Sequence, residues 1–256
     1  LLLTSLNQMF SKRSAVAGLI IAVLLTSCAA VSDLLPEKKA TSVLSGREGV
    51  DGPLLAVKID DTNMAHPQIG LEDAEIVYIE QVEGGLTRLA AIYSTVIPER
   101  VGPVRSARIS DIDILSQFGR VAFAYSGAQR KLLPVISAAN LEDLGAQRQS
   151  PKIYTTDPNR VQPFAMVLRA DLLMQKVKEE QRTVDIAKNV GFVFGDLQDG
   201  GAPTQKVEMS WPAATYSAEW SEEQSRWLLS HNGNLNVAES GVVLGPTTLV
   251  IQLVKI

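Results

Sequence analysis

Three apolar, β-rich runs follow one another between Pro53 and Val96, and the last two are separated only by Glu83-Gly84-Gly85. "AEIVYIEQV" (Ala74 to Val82) and "LTRLAAIYSTV" (Leu86 to Val96) are rich in β-branched and aromatic residues. Two such runs joined by a short glycine-containing loop form an antiparallel hairpin. The run before them, "PLLAVKID" (Pro53 to Asp60), reads as a buried strand. A sheet is therefore committed early, and the rest of the chain must pack on it.

Pro98 and Pro103 bound a loop. Ile109, Ile112, Leu115 and Phe118 then recur every three residues until Gly119, which predicts a helix. "VAFAYSG" (Val121 to Gly127) reads as a buried strand, and "AQRKLLPVISA" as a helix interrupted or kinked at Pro134. "RADLLMQKVKEEQ" is a further helix. From about Val190 the helix signals vanish. "VGFVFGD" and "VEMSW" read as short strands. "TYSAEWSEEQSRWLLSHNGNL" reads as a hairpin with Tyr216, Ala218 and Trp220 on one face and Trp227 and Leu229 opposite. The expected fold class is α+β, with a mixed α/β N-terminal domain over 53–190 and a small β-rich C-terminal domain over 200–256. "LGPTTLVIQLVKI" is strand-like up to Ile256 with no closing turn. The C-terminal domain is accordingly expected to be incomplete, with an unpaired strand edge near Thr248 to Ile256.

The other end carries targeting information. From Met9 the chain reads "MFSKRSAVAGLIIAVLLTSCAA": Lys12 and Arg13, then an apolar run, then Leu25-Thr26-Ser27-Cys28. Charge followed by a short apolar run is the layout of a secretory signal, and the run falls short of the roughly 20 residues a membrane span needs. Residues 1–27 are read as a signal peptide, with 1–8 upstream of the true start. Leu25 to Cys28 resembles the bacterial lipobox, in which the cysteine sulfur takes up lipid, so Cys28 is the expected lipidation site and the membrane an expected partner. Two or three acyl chains anchor stably where one does not. Residues 28–52, mixed in Ser, Gly, Pro and charge, read as a flexible tether.

Composition narrows the function classes. The chain has 24 Lys plus Arg against 28 Asp plus Glu, a net charge of −4. Loss of Lys12 and Arg13 with the signal leaves 22 basic residues and a net charge of −6. That argues against nucleic acid, whose binding rests on neutralising phosphates. With one cysteine, no intramolecular disulfide forms. With that cysteine lipidated and only His66 and His231 besides, no zinc site of the usual ligands and no cofactor is expected. His66, in the loop Asn63 to Leu71, reads as a solvent-facing loop residue.

The charges are segregated. Glu72 to Glu83 contains five acids and no base, whereas Leu86 to Lys131 contains seven bases and three acids. Either the two segments pair as surface salt bridges of about 0–1 kcal/mol each, or the arginines meet at one place. A guanidinium fork suits phosphate or carboxylate, and N–H groups at glycine turns add donors. Arg88 lies near the hairpin turn. Arg105 and Arg108 flank Ser106, expected at the start of the Ile109 helix, where free N–H groups favour an anion. The three guanidinium groups are expected within about one Debye length, ~10 Å, of a common point, with Glu80 or Glu83 holding at least one. Glu80 and Glu83, three apart, would point to opposite faces of an unbroken strand and are no ready acid/base pair. Ser126 in "AYSGAQ" suggests a nucleophile elbow, but Ala124 and Ala128 stand where glycines would. An N-cap with Gln129 three residues on is the favoured reading.

These motifs carry a resemblance. "KIDDTNMAHPQIGL", "AEIVYIEQVEGGLTRLAAIY", "VGPVRSAR" and "AYSGA", in that order, resemble the YerB-like family of bacterial lipoproteins. "AEWSEEQSRWLLSHNGNLNVAESGVVLGPTTLVIQLV" is more loosely similar to the opening of its C-terminal domain. In the first motif the matching positions are Asn63, Pro67, Gln68 and Gly70. In the second they are Glu80, Glu83, Gly84, Gly85, Thr87 and Arg88; in the third, Arg105, Ser106 and Arg108; in the fourth, Ser126. The resemblance implies an α+β domain, a smaller β-rich domain, and attachment to the outer face of the cytoplasmic membrane. It implies no reaction. Many members carry Pro-His-Asn after an arginine, whereas here Phe164 and Ala165 follow Pro163. Three functions follow as expectations: binding of an anionic envelope polymer or protein partner through the arginines; an envelope hydrolase or transferase using Glu80 or Glu83, with arginines stabilising the anion; or an architectural scaffold.

Overall fold

Every residue of β1 (Leu55–Asp60) is buried, because the strand occupies the middle of a five-stranded sheet. The computed structural model describes residues 39–195 and 200–254; the expected signal peptide and Cys28 lie outside them. On one side of β1 stand the hairpin strands β2 (Ile76–Gln81) and β3 (Thr87–Tyr93), antiparallel throughout. On the other side β5 (Val121–Ala124) and β6 (Leu141–Asp143) run parallel to it, giving the order β2-β3-β1-β5-β6. A second, three-stranded sheet has the order β4 (Arg100–Val101), β8 (Met166–Arg169), β7 (Tyr154–Thr156).

Strand side chains alternate between faces, and two cores follow. On one face Ala56, Ile92 and Phe123 pack with Leu115 of α1 (Ser110–Ser116), with Phe118 just beyond its end, and with Ile136 of α2 (Leu133–Ala138). On the other face Val57, Ile59, Leu89 and Ala91 pack with Leu173 and Val177 of α3 (Ala170–Glu179) and with Ala238 and Leu244. The β-rich part is a four-stranded antiparallel sheet in the order β12 (Asn234–Leu235), β11 (Arg226–His231), β10 (Ala214–Ser221), β9 (Lys206–Trp211). Ala214, Tyr216 and Ala218 are buried in alternation along β10, and Trp220 meets Trp227 edge-on across the hairpin at 5.6 Å. The fold is α+β with a β-rich C-terminal part. Residues 41–256 form one compact unit, within which the backbone N–H of Ala213 bonds the Gly85 carbonyl at 3.0 Å and that of Glu239 bonds Gln68 at 2.8 Å.

Several expectations are corrected. The stretch read as a tether is packed from Thr41 onward: Leu44 is buried in the core, and Arg47 donates to the carbonyls of Glu72, Asp73 and Ala74. The α1 helix begins at Ser110, not near Ser106. The segment before it is held in extended pairings, Arg105 N–H to Lys58 O and Ser126 N–H to Arg105 O. The α2 helix begins at Leu133, so Pro134 sits in its first turn, where no N–H is missed, and does not kink it. Ser126 therefore caps no helix. Val190 to Gly195 and Thr248 to Val254 form no strand, because neither run meets a strand edge to pair with; Val193, Val250 and Leu253 are exposed.

Candidate functional site

The hairpin sets one row of charge across the sheet. Arg88 on β3 lies opposite Glu80 on β2 and opposite Asp60 on β1, so the three share a face. One rung along β1, Lys58 is fully buried and pairs with Asp111 Oδ1 at 2.8 Å and with Glu80. Glu80 also accepts from Ser110. Burial pulls the Lys58 ammonium below its ordinary value, opposed by Asp111 and reinforced by Arg88 and Arg108. Asp111 accepts from the Arg108 backbone N–H at 2.6 Å. The α1 entrance is thus answered by the chain's own acid, which removes the reason to expect an anion on that helix end.

The three arginines converge from two segments. Arg88 Nη1 donates to the Ser106 carbonyl at 2.8 Å, and Arg108 Nη1 donates to the same oxygen at 3.2 Å. Arg105 pairs with Asp60, whose other oxygen accepts from Thr62 N–H and hydroxyl. Arg108 grips Glu83 through Nε and Nη2, both at 2.7 Å. Glu83 reaches that side because β2 ends at Gln81 and the left-handed Gly84 turns the chain, so the opposite-face rule for an unbroken strand does not apply. Ser106 and Ser126 place their hydroxyls 3.5 Å apart, and Gln129 donates to Glu83 at 3.2 Å. Phe164, in the position where the resemblance expects a Pro-His-Asn stretch, lays its ring against Arg105, 5.5 Å from the guanidinium carbon.

Two of the three arginines thus have a carboxylate partner. Among the described residues Arg88 has none within ion-pair distance; it makes its contact with a carbonyl. Burial, then Arg108 and Arg105, draw its guanidinium down to about 10, with Asp60 and Glu83 opposing. A half-buried guanidinium flanked by two others is charged at neutral pH, and an incoming anion would relieve the repulsion among the three that Asp60 and Glu83 offset only in part.

A second constellation lies on the opposite face and was not legible in the sequence. Asp61, the residue after Asp60, points the other way and is fully buried. Its oxygens accept from Tyr216 at 2.6 Å, Thr87 at 2.5 Å and Gln68 at 3.3 Å. His66 Nε2 stands 3.4 Å from one of these oxygens and His231 Nε2 4.0 Å from the other, with the two imidazoles stacked at 4.3 Å. His66 is therefore no solvent-facing loop residue: Pro67 and the turn at Gly70 fold its loop inward. Burial holds the His231 imidazole below its ordinary value, opposed by Asp61 and aided by His66, and the buried Tyr216 hydroxyl is raised well above its own. The cluster joins β1 to β10 and β11, which lie far apart in the chain. No local spacing announces it.

A sheet of this order, joined to an antiparallel β-rich sheet and carrying the Glu-Gly-Gly hairpin and the Val-Arg-Ser-Ala-Arg segment, defines an α+β protein with a β-rich C-terminal part. The chain belongs to the family described as "Protein of unknown function (DUF3048) N-terminal domain", whose model matches residues 41–184. A relative in Bacillus subtilis (strain 168), named "Putative lipoprotein YerB", is 36% identical over 109 residues, which is 41% of this chain. That match spans 33% of the relative's length. The crystal structure of the YerB protein from Bacillus subtilis superposes with a TM-score of 0.70 at 19% identity, covering 81% of this chain and 72% of that one, and shares the fold.

Proposed function

We propose that this chain is a cell-envelope lipoprotein, lipidated at Cys28 and held at the outer face of the cytoplasmic membrane, whose N-terminal part binds an anionic ligand or partner through Arg88, with Arg105 and Arg108 beside it. The observation that carries the binding reading is Arg88 itself: partly buried, next to two further guanidinium groups, and, among the described residues, with no carboxylate within ion-pair distance. Ser106 and Ser126 add hydroxyl donors at the same place. The anchoring reading rests on the Leu-Thr-Ser-Cys pattern and on the relative's printed name; the intact N-terminal peptide, isolated from membranes, carries lipid on Cys28 in mass spectrometry if it is right, and is unmodified if it is wrong.

Thermal shift at low salt tests the binding. Inorganic phosphate, polyphosphate and polyglutamate serve as the phosphate-rich and carboxylate-rich probes. The wild type gains stability with at least one of them, and Arg88→Gln loses roughly 1.5–3 kcal/mol of that binding, the range for a hydrogen bond to a charged group. No anion-dependent gain in the wild type refutes it. The scaffold reading has its own support, since Arg105 and Arg108 are already occupied by Asp60 and Glu83; it forecasts that Arg88→Gln leaves the response to every anion unchanged. The hydrolase or transferase reading draws less from the geometry, because Glu80 and Glu83 are each engaged by a cation.

A further inference from the structure

We propose that Asp61, His66 and His231, together with the side-chain oxygen of Gln68, form a binding site for a divalent transition-metal cation of the zinc class, placed between the central sheet and the β10–β11 hairpin. Two imidazoles and one carboxylate are the donor set that zinc, cobalt and ferrous iron share. One ligand atom from each of the three residues lies within 4.8 Å of the others. For bonds of about 2.0–2.1 Å, tetrahedral neighbours stand about 3.3–3.4 Å apart. His66 Nε2 and Asp61 Oδ1 already meet that spacing at 3.4 Å. His231 Nε2 stands 4.0 Å from the other oxygen, Asp61 Oδ2, and the stacked rings, whose planes differ by 10°, must turn for both Nε2 lone pairs to converge on one ion.

Two observations independent of the three ligands point the same way. The first is Gln68. Its side chain is fully buried, its Nε2 lies 3.1 Å from His66 Nε2 and 3.3 Å from Asp61 Oδ1, and its Oε1 has no hydrogen-bond partner. A buried amide oxygen without a partner is costly. Rotating the amide by half a turn would bring that oxygen among the ligand atoms, where only a cation gives it something to bind; beside a carboxylate it would otherwise be repelled. The second is the outer shell. His66 Nδ1 stands 3.2 Å from Asn236 Oδ1, an acceptor that suits the Nδ1–H tautomer and leaves the Nε2 lone pair as an acceptor, taken by the Gln68 amide nitrogen at 3.1 Å and open to a metal once that amide turns. Tyr216 and Thr87 donate one hydroxyl to each carboxylate oxygen, which orients Asp61 and still leaves lone pairs for a metal. His66 tied through its far nitrogen and Asp61 tied by hydroxyls match the supporting shell of metal ligands, while the Asn232 amide, 3.5 Å from His231 Nε2, would give way to the ion. The site does not involve Arg88 and stands or falls separately from the anion reading.

Cobalt(II) reports directly on such a site, because its visible ligand-field absorption, weak in the aqua ion, becomes intense and shifts to longer wavelength at low coordination number. The untagged chain in a Cys28→Ser background, so that no thiol contributes, is stripped with chelator and titrated with Co²⁺, then with Zn²⁺. The expected result is a visible band that saturates at one equivalent, is displaced by Zn²⁺, and accompanies a rise in melting temperature. His66→Asn and His231→Asn each weaken Co²⁺ binding by at least tenfold to a hundredfold, while Arg88→Gln leaves it unchanged. His66, at the rim of the cluster, is the variant that keeps its fold most readily, and far-ultraviolet circular dichroism verifies that it has. Absence of the band in the wild type overturns the proposal, as does a band that survives both histidine substitutions. If neither variant folds, X-ray absorption of the wild type with bound Zn²⁺ decides: two imidazoles and oxygen ligands support the site, and an all-oxygen shell refutes it.

Discussion

Lys58 is a lysine in the middle of the most buried strand of the molecule, and its role follows from its company. Asp111 and Glu80 converge on its ammonium, so its positive charge is what compensates one fully buried and one mostly buried carboxylate. Replacing a buried ion network by apolar residues throughout can be neutral, but removing one member leaves the others uncompensated. Lys58→Met should therefore destabilise by about 3–5 kcal/mol in urea unfolding. Lys58→Met combined with Asp111→Leu and Glu80→Leu should recover much of that loss. A single substitution that costs under about 1 kcal/mol would show that the network is solvated and unimportant.

At the scale of elements, the hairpin turn separates two effects that glycine usually mixes. Gly84 and Gly85 both have left-handed backbone, with φ of 71° and 72°. A side chain at Gly84 would meet open space, whereas a Cβ on Gly85 would stand 2.5 Å from the Cβ of Pro212, the residue leading into β10. Gly84→Ala should cost only the backbone term, about 1–2 kcal/mol. Gly85→Ala should cost a further 1–3 kcal/mol for overlap, and its melt should show the β-rich sheet loosened first. Equal melting temperatures for the two variants would contradict the docking of the turn on that sheet.

The same element shows what a reader of the sequence sees and misses. The hairpin, the α1 and α3 helices and the β10–β11 pairing were all legible, because each is written in local periodicity and turn residues. So was the gathering of Arg88, Arg105 and Arg108, since turns at Gly84-Gly85 and Gly102-Pro103 lie just beside them in the chain. Four features escaped. Thr41 to Gly52 looked like linker because its contribution to the core is small: Leu44, with Val43 partly buried beside it. Pro134 was misplaced within its helix because helix starts are ambiguous to a few residues. The apolar runs at Val190 and Thr248 have strand composition but no edge to join. The histidine cluster depends on two sheets meeting, which no local pattern encodes.

For the whole molecule, acid should be the condition that undoes the N-terminal segment. Burial raises the Glu75 carboxyl, but hydrogen bonds from Ser45 and Thr95 and the nearby Arg47 outweigh that and hold it below its ordinary value. A carboxylate with a depressed value in the folded state contributes stability that is complete above its unfolded value, about 4.5, and is lost as pH falls through the folded one. Glu142, held by Arg120 and Arg182, behaves alike: burial raises it and the two arginines more than offset that. The melting temperature should be level above about pH 5 and decline below about 4.5. Glu75→Gln should flatten that decline while lowering the plateau. A profile in which the mutant and wild type fall in parallel would remove Glu75 from the account.

Asp60 and Asp61 are consecutive, yet one serves the arginines and the other the histidines, on opposite sides of one sheet. The end of β1 therefore works as a gauge of reading frame. Inserting one residue just before Asp60 would rotate both carboxylates to the wrong side at once, delivering an acid meant for Arg105 to the imidazoles and the reverse, without changing the composition of either cluster. Inserting two would restore the sides but carry both acids about 6–7 Å beyond their partners. Length variation is thus forbidden at this point of the chain in a way that substitution is not, and lineages of this protein should differ there in residues but never in number.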